Sequence, residues 1–502
     1  MSDAVPQHTG KSILRNVLYG SMTWFLPLCL SFVATPVIVR SLGNRDYGIY
    51  ALVLTFIGYS FSFNFGRAIT KYIAEYRVAG ESEKIKRVIS ASIFFAVTVG
   101  ASGVVIVCLL ANWLTSDIFQ IEADAQQQTV TALYVASATI FIAMMNQLFS
   151  SIVQGLHRFD LYSKIYTANG FFTIGGNLAL ALLGYDLVVL LGWNLVVSLV
   201  FCLVYAITAK ANLPEFTLVP TLDRATLIMV ARFNAGIVGY QLLANAFLLF
   251  ERGWITKRLG TESLTYYVVP MSFGIYLHAF VSSLVLVLFP LASEFGQDRE
   301  RLLKLYTKAT KIIALIVVFI VIALSVNSKG FLHLWMGPDF ADNSSILLVL
   351  QMVAFGAAAI QSVAWQMTEG LGRPQLNLAI FSVCLIVAVS LILTLTSTYH
   401  NVGIATARAA GFSSMLISIF LIEKLFFKEV LWKFWLRIVF VLAIAGTAAA
   451  AAEYAVADNL RLSWAALLAS WAGAGVAYMA TLFVSGLIGK EELDVVRSFL
   501  RR

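Results

Sequence analysis

The chain has 502 residues, 60% of them hydrophobic and only 12% charged, against about 25% charged in an ordinary soluble domain. That balance argues against a soluble enzyme and places the sequence among polytopic membrane proteins. The net charge of +8 then speaks to topology rather than to nucleic acid, because lysines and arginines in loops orient membrane helices.

Apolar stretches long enough to cross a bilayer fall at about 14–38, 48–72, 88–111, 129–152, 163–184, 187–209, 229–250, 264–290, 309–328, 345–368, 375–396, 402–422, 436–456 and 463–488. Residues 1–10 are polar, and the first stretch lacks a small-residue cleavage site, so it is expected to be an uncleaved span. Fourteen spans put both termini on one side. That side then carries 26 lysines and arginines against 7 opposite, with Arg67 and Arg408 inside spans. This bias predicts cytoplasmic termini and an even number of spans. Cys29, Cys108, Cys202 and Cys384 are scattered through apolar segments and read as filler.

In chain order, the first span carries Pro27, a predicted kink. The second carries Ser60, Asn64, Arg67 and Lys71, separated by 4, 7 and 11 residues from Ser60. At about 100° per residue these form one polar stripe. Such a stripe faces protein or a water-filled cavity, or lets Arg67 and Lys71 snorkel to headgroups. The loop 112–128 is acidic and free of lysine and arginine, as an external loop should be. The fourth span ends with Gln147, Ser150, Ser151 and Gln154 on one face, suited to a cavity or to helix contacts. Asn169, Thr173 and Asn177 form a weaker stripe in the fifth.

The seventh span is the most informative. Asn234, Gln241, Asn245 and Arg252 are 7, 4 and 7 residues apart, so all four project within about 20° of one line. The stripe either lines a cavity or makes interhelical hydrogen bonds. Glu251 beside it reads as a salt-bridge partner, a proton site or an exposed charge at the membrane edge. The charged segment 293–311 predicts a helical extension into the ninth span. In the loop 327–344, Trp335 reads as an interfacial anchor. Gln351, Ser362, Gln366 and Glu369 mark one face of the tenth span. Arg408, six residues into the twelfth, either snorkels outward or faces a pathway. The alanine-rich last two spans offer little polar chemistry.

The chain also carries an internal repeat. Ile38-Val39-Arg40-Ser41-Leu42-Gly43, with Tyr50 following, matches Ile255-Thr256-Lys257-Arg258-Leu259-Gly260, with Tyr267 following, at an offset of 217. Gln154-Gly155-Leu156-His157-Arg158 matches Glu369-Gly370-Leu371-Gly372-Arg373 at an offset of 215. Two matches in one order, six spans apart, predict a duplication with both copies in the same orientation. The expected fold is all-α: an N-terminal six-helix lobe over 1–210, a second six-helix lobe over 211–428, a central cavity, and two further helices with a cytoplasmic tail over 429–502.

No phosphate loop, H-E-x-x-H motif or nucleophile elbow is present in the sequence, and no loop is long enough for a catalytic domain. The stretch R-S-L-G-N-R-D-Y-G-I-Y, the stretch N-F-G-R-A-I-T-K-Y-I-A-E-Y and the G-L-x-R turns at Arg158 and Arg373 resemble the polysaccharide-transporter branch of the multidrug/oligosaccharidyl-lipid/polysaccharide exporter superfamily. The resemblance covers essentially the whole chain. It implies two lobes, a cationic cavity, alternating access and no enzymatic activity. The implied substrate is an oligosaccharide on polyprenyl pyrophosphate, moved to the external leaflet for O-antigen-like polysaccharide.

Carried over in kind, Arg67, Arg252, Arg408, Arg40 and Lys257 are the cationic candidates. Ser60, Asn64, Asn234, Gln241, Asn245, Gln147 and Gln366 are the polar lining. Glu251 and Glu369 are candidates for coupling to a proton or sodium gradient. No cofactor, metal or nucleic acid is expected. The partners implied are the lipid-linked substrate, membrane lipids, a polysaccharide polymerase and chain-length machinery. Two other readings stand beside this one: an ion-coupled exporter of small amphipathic compounds, and a membrane-embedded glycan polymerase.

Overall fold

Backbone that crosses hydrocarbon must satisfy its own polar groups, and a helix does so within one segment. The computed structural model follows that constraint. It describes residues 10–60, 66–213, 216, 223–286, 288–295 and 298–488. Among these the regular structure is helical, with no strand: α1 (Gly10–Ser60), α2 (Gly66–Val78), α3 (Ser82–Trp113), α4 (Ala123–Gly155), α5 (Phe159–Leu182), α6 (Leu187–Asn212), α7 (Arg224–Val285), α8 (Leu288–Glu294), α9 (Arg299–Val326), α10 (Ser328–Met336), α11 (Pro338–Gly370), α12 (Pro374–Ser414), α13 (Ile417–Phe427), α14 (Trp432–Asn459) and α15 (Trp464–Val484). Among the described residues, ten helical stretches are long and apolar enough to cross a membrane.

Three of the expected loops shrink to a single non-helical residue at which two helical arms meet. These are Gly43 in α1 (φ 80°, ψ 160°), Gly260 in α7 (φ 86°, ψ 169°) and His400 in α12 (φ 48°, ψ −132°). Gly43 and Gly260 are the repeat-related glycines, and both occupy a region nearly exclusive to glycine. The second repeat also recurs as geometry. His157 (φ 58°) and Gly372 (φ 74°) are left-handed. Each donates to the carbonyl three residues back, Gln154 in one turn and Glu369 in the other. The next N–H reaches five back, from Arg158 to Val153 and from Arg373 to Thr368.

The chain divides into two compact units, Met1–Thr265 and Tyr266–Arg502. In the first, α4 packs against α1, α2, α3 and α6. Ile69, Ile73, Ile89, Leu148, Ile152 and Tyr205 are buried in its core. The Tyr50 hydroxyl accepts from Asn177 (3.1 Å) and Asn194 (3.3 Å), and Asn177 also donates to Asn194 (2.8 Å), tying α1 to α5 and α6. The two kinks of this unit meet directly. The Thr265 hydroxyl donates to the Asn44 carbonyl at 2.5 Å. A Cβ on Gly48 would fall 1.9 Å from the Thr261 carbonyl oxygen. The repeat offset pairs Asn44 with Thr261 and Gly48 with Thr265, so exchanging the two segments turns one contact into the other. This is the signature of an isologous contact.

In the second unit α11 is the buried axis, packed by α8, α9, α10 and α12. The expected loop 327–344 is instead α10 and the start of α11. Trp335 is not an interfacial anchor: it is 5% exposed and packs on Phe273 and Phe331, with ring centroids 5.0 and 5.8 Å away. The reason is that α10 folds back and turns its aromatic face inward, onto the second half of α7 and onto Trp471 of α15. The charged segment does extend into the ninth span, as α9. Glu423 on α13 is fully buried. It accepts from the Tyr306 hydroxyl (2.8 Å), the Trp435 indole (2.6 Å) and the Leu431 main-chain N–H (2.9 Å), clamping α9 and α14 to α13.

Alanine at Gly43 or at Gly260 must adopt the glycine conformation at a cost of about 1–3 kcal/mol. Each substitution is expected to lower the melting temperature of the detergent-solubilised protein. Gly58→Ala, a helical position with open space around it, should leave it unchanged or raise it. Glu423→Ala strands three buried donors at about 1–3 kcal/mol each, so its melting temperature should fall further than that of Glu423→Gln, which keeps one acceptor oxygen. Equal melting of the two Glu423 variants would show that the clamp contributes nothing.

Candidate functional site

A cavity of about 370 Å³ opens in the first unit between α1, the end of α3 and α7. Its walls are Leu52, Thr55 and Phe56; Leu114, Ile118 and Phe119; and α7 from Leu249 to Lys257. The α3 wall depends on a π-helical turn, Leu114–Ile118, in which the Phe119 N–H donates to the Leu114 carbonyl (2.8 Å). Such widened turns often sit at functional sites. Here the turn places the Phe119 ring edge-on to Phe56, 6.3 Å between centroids.

Two cations reach this cavity. Arg252 is half-buried and donates through Nη1 to the Thr55 hydroxyl. That hydroxyl in turn donates to the Ala51 carbonyl at 2.6 Å, which fixes its lone pairs toward the guanidinium. Lys257 is exposed, with Nζ 3.4 Å from the Asp117 carbonyl oxygen. Phe250 and Trp254 stack at 5.8 Å, and the Arg258 guanidinium lies 4.8 Å over the Trp254 ring. The site therefore combines a held guanidinium, a reachable ammonium and aromatic faces. A planar guanidinium binds two oxygens of a phosphate or carboxylate at once.

The other sequence candidates are distributed. Gln241 is half-buried and Asn245 buried on the same line of α7 as Arg252. Glu251 is fully buried, which removes its reading as an exposed edge charge. The side chains of Asn234 and Ser60, and Asn64 altogether, lie outside the described residues. Arg67 is exposed on α2. Its neighbour Gly66 packs on Ser151 beside Gln147, and Thr70 donates to the Ser151 carbonyl at 3.1 Å, so α2 docks on α4 through its small-residue face. Arg40 is exposed and Gln147 half-buried.

In the second unit Arg408 is 1% exposed rather than snorkelled. Its guanidinium sits 5.4 and 5.3 Å from the rings of Phe355 and Phe412. Gln366 is half-buried. Glu369 accepts from the Trp365 indole at 2.8 Å. Among the described residues no three His, Cys, Asp or Glu side chains come together as metal ligands. Sequence reasoning missed Thr55, a lone hydroxyl in an apolar run, and the aromatic walls. Thr55 lies 12 residues after Gly43 and Arg252 lies 8 before Gly260, so neither the repeat nor a helical period pointed to their contact.

Residues 37–345 match the family described as polysaccharide biosynthesis protein. A Shigella flexneri protein named "Putative O-antigen transporter" is 20% identical over 396 residues, spanning 78% of this chain and 93% of that protein. Among solved structures, a lipid II flippase, MurJ, in an inward closed conformation aligns with a TM-score of 0.74 at 12% identity, covering 94% of this chain and all of its own. An inward-facing multidrug resistance MATE family transporter of the MOP superfamily aligns at 0.63 and 16% identity, covering 84% of this chain and 96% of its own. These likenesses give the fold, which is MOP-like. Over well more than half its length, this multi-pass membrane chain belongs to the polysaccharide biosynthesis protein family.

Proposed function

We propose that the protein is a flippase. It moves an oligosaccharide carried on polyprenyl pyrophosphate from the cytoplasmic to the external leaflet, by alternating access, for assembly of an O-antigen-like surface polysaccharide. The observation that carries this reading is the convergence of Arg252 and Lys257 on one aromatic-walled cavity. A pyrophosphate bears about two negative charges, and taking them unaided through hydrocarbon costs many kcal/mol. Charge-assisted bonds from Arg252 and Lys257 replace its hydration. Gln241 and Asn245 solvate sugar hydroxyls further along α7, and Arg40, Arg67 and Arg408 serve other positions along the path.

The architecture in this reading has fourteen crossings. Counting each of the three kinked helices as two, and adding α5 to the remaining candidates, gives that number. The lobes are 1–210 and 211–428, related by the duplicated kinks and turns, with 429–502 appended. The excess of basic residues on the side of the termini supports an inner or plasma membrane protein with cytoplasmic ends. A polysaccharide polymerase and chain-length machinery then act on the delivered units. One observation favours a second reading, an ion-coupled exporter of small amphipathic compounds: an apolar groove of about 700 Å³ in the second unit, walled by residues such as Val318, Ile419, Leu442 and Ala450.

Cells depleted of the protein are expected to accumulate a complete oligosaccharide on its pyrophosphate carrier, trapped on the cytoplasmic leaflet and identified by mass spectrometry with a leaflet-specific probe. Intact polysaccharide with raised sensitivity to amphipathic drugs would instead select the exporter. Arg252→Ala should weaken retention of the carrier-linked substrate about 10- to 100-fold, the worth of a charge-assisted bond. Thr55→Val, which leaves the charge and removes only the hydroxyl that orients it, should cost about 3- to 10-fold. If Arg252→Ala with Lys257→Ala exports polysaccharide at the wild-type rate, the cationic site is wrong.

A further inference from the structure

Glu453 lies in the alanine-rich α14, outside both repeats. It is fully buried where α14 packs on α9 and α15. Among the described residues neither of its carboxyl oxygens has a hydrogen-bond partner. Two N–H groups stand close to it, the Trp471 indole and the Asn327 main chain. Both are directed elsewhere: the indole donates to the Ala323 carbonyl at 2.7 Å, and the Asn327 N–H to the Ser325 carbonyl.

Among the described residues no charge faces the carboxyl. The charged residues of α9 all lie between Arg299 and Lys311, toward its other end. The titratable side chain of α15, Tyr478, donates to the Leu315 carbonyl at 3.0 Å, about two turns along α9 from Ala323. On α10, Lys329 is paired with Asp342 at 2.6 Å and His333 is exposed. On α14 itself, Tyr454 is exposed, as is Asp458 near the helix end.

A carboxylate kept from water, donors and cations costs several kcal/mol, and such groups are found holding a proton or a cation. The backbone beside Glu453 is also able to change. Asn327 is the non-helical break between α9 and α10 (φ −108°, ψ 32°), so its N–H can be re-aimed by a small rotation of the break.

We propose that Glu453 is a proton-binding site that couples the transport cycle to the proton gradient. The carboxyl holds its proton in the arrangement seen here. It releases the proton when the Asn327 and Trp471 N–H groups turn from their carbonyls onto the carboxylate. The proton exchanges with water at the Asn459 end of α14, about 9 Å away along the helix. The proposal rests on reading the chain as a transporter, and it supplies that transporter's energy source.

The test uses the full-length protein in membrane vesicles and the apolar reagent dicyclohexylcarbodiimide, which attacks protonated carboxyls in apolar surroundings. Adducts are mapped by mass spectrometry at about pH 6 and at about pH 9, either side of neutrality. The expected result is an adduct at Glu453 that diminishes at the higher pH and is lost in Glu453→Gln. No adduct at either pH overturns the proposal. Export in cells separates coupling from packing, because Glu453→Gln keeps the shape and is neutral. A coupling role predicts that the folded Gln variant loses polysaccharide export, whereas Glu453→Asp retains export that a protonophore abolishes. Wild-type export and wild-type protonophore sensitivity in Glu453→Gln would also overturn it. The labelling needs no oligosaccharide. If depletion fails to trap carrier-linked substrate, the substrate assignment falls while the labelling result still decides whether Glu453 carries a proton.

Discussion

Much of the first unit depends on one crossing, where Gly48 lies against the Thr261 carbonyl and the Thr265 hydroxyl caps the Asn44 carbonyl. Two long helices can approach this closely only if one offers no Cβ, and close approach of backbones is how membrane helices gain packing energy in the absence of a hydrophobic drive. Each helix bends at the residue just before the crossing, so the bends and the contact form one arrangement. With the crossing fixed, Thr55 on one helix and Arg252 on the other are brought within hydrogen-bonding reach. The cavity is thus a by-product of the crossing: its two long walls are the arms of the two bent helices, and the widened turn after α3 closes the third side.

The buried polar groups of the molecule divide by how completely they are matched. Glu423 has three donors, one from α9 and two from the start of α14, and Tyr50 receives two asparagines; both act as fastenings between helices. A buried group matched as closely as Glu423 rigidifies a structure. Arg252 is held on one side and presented to a cavity on the other. Glu453 is matched by nothing described, though donors stand beside it. The order from fastening, to presented charge, to unmatched carboxyl runs from parts that hold still toward parts that do work.

Most of the helical framework was legible in the sequence, because lipid demands long apolar runs and the basic residues alternate with them. The kinks themselves were not read from the sequence, but the repeat matched Gly43 with Gly260, two residues that share a backbone conformation. Gln241, Asn245 and Arg252 could be aligned because a helix has a fixed period. Periodicity says nothing about a solitary side chain. Thr55 and Glu453 each stand alone in an apolar stretch, and their surroundings are set by α7 in one case and by α9 and α15 in the other. Trp335 misled for a related reason. A tryptophan near a span end usually meets headgroups, but here the segment forms a short helix that folds its aromatic face inward.

The paired turns at His157 and Gly372 have a consequence for conformational cost. Both make the same hydrogen bonds and both are left-handed, but glycine adopts this conformation freely and histidine does not. The two corners are therefore one path followed at two costs. The hydrogen bonds of the turn set where the chain goes, and the residue at the corner sets only how much strain is stored in sending it there.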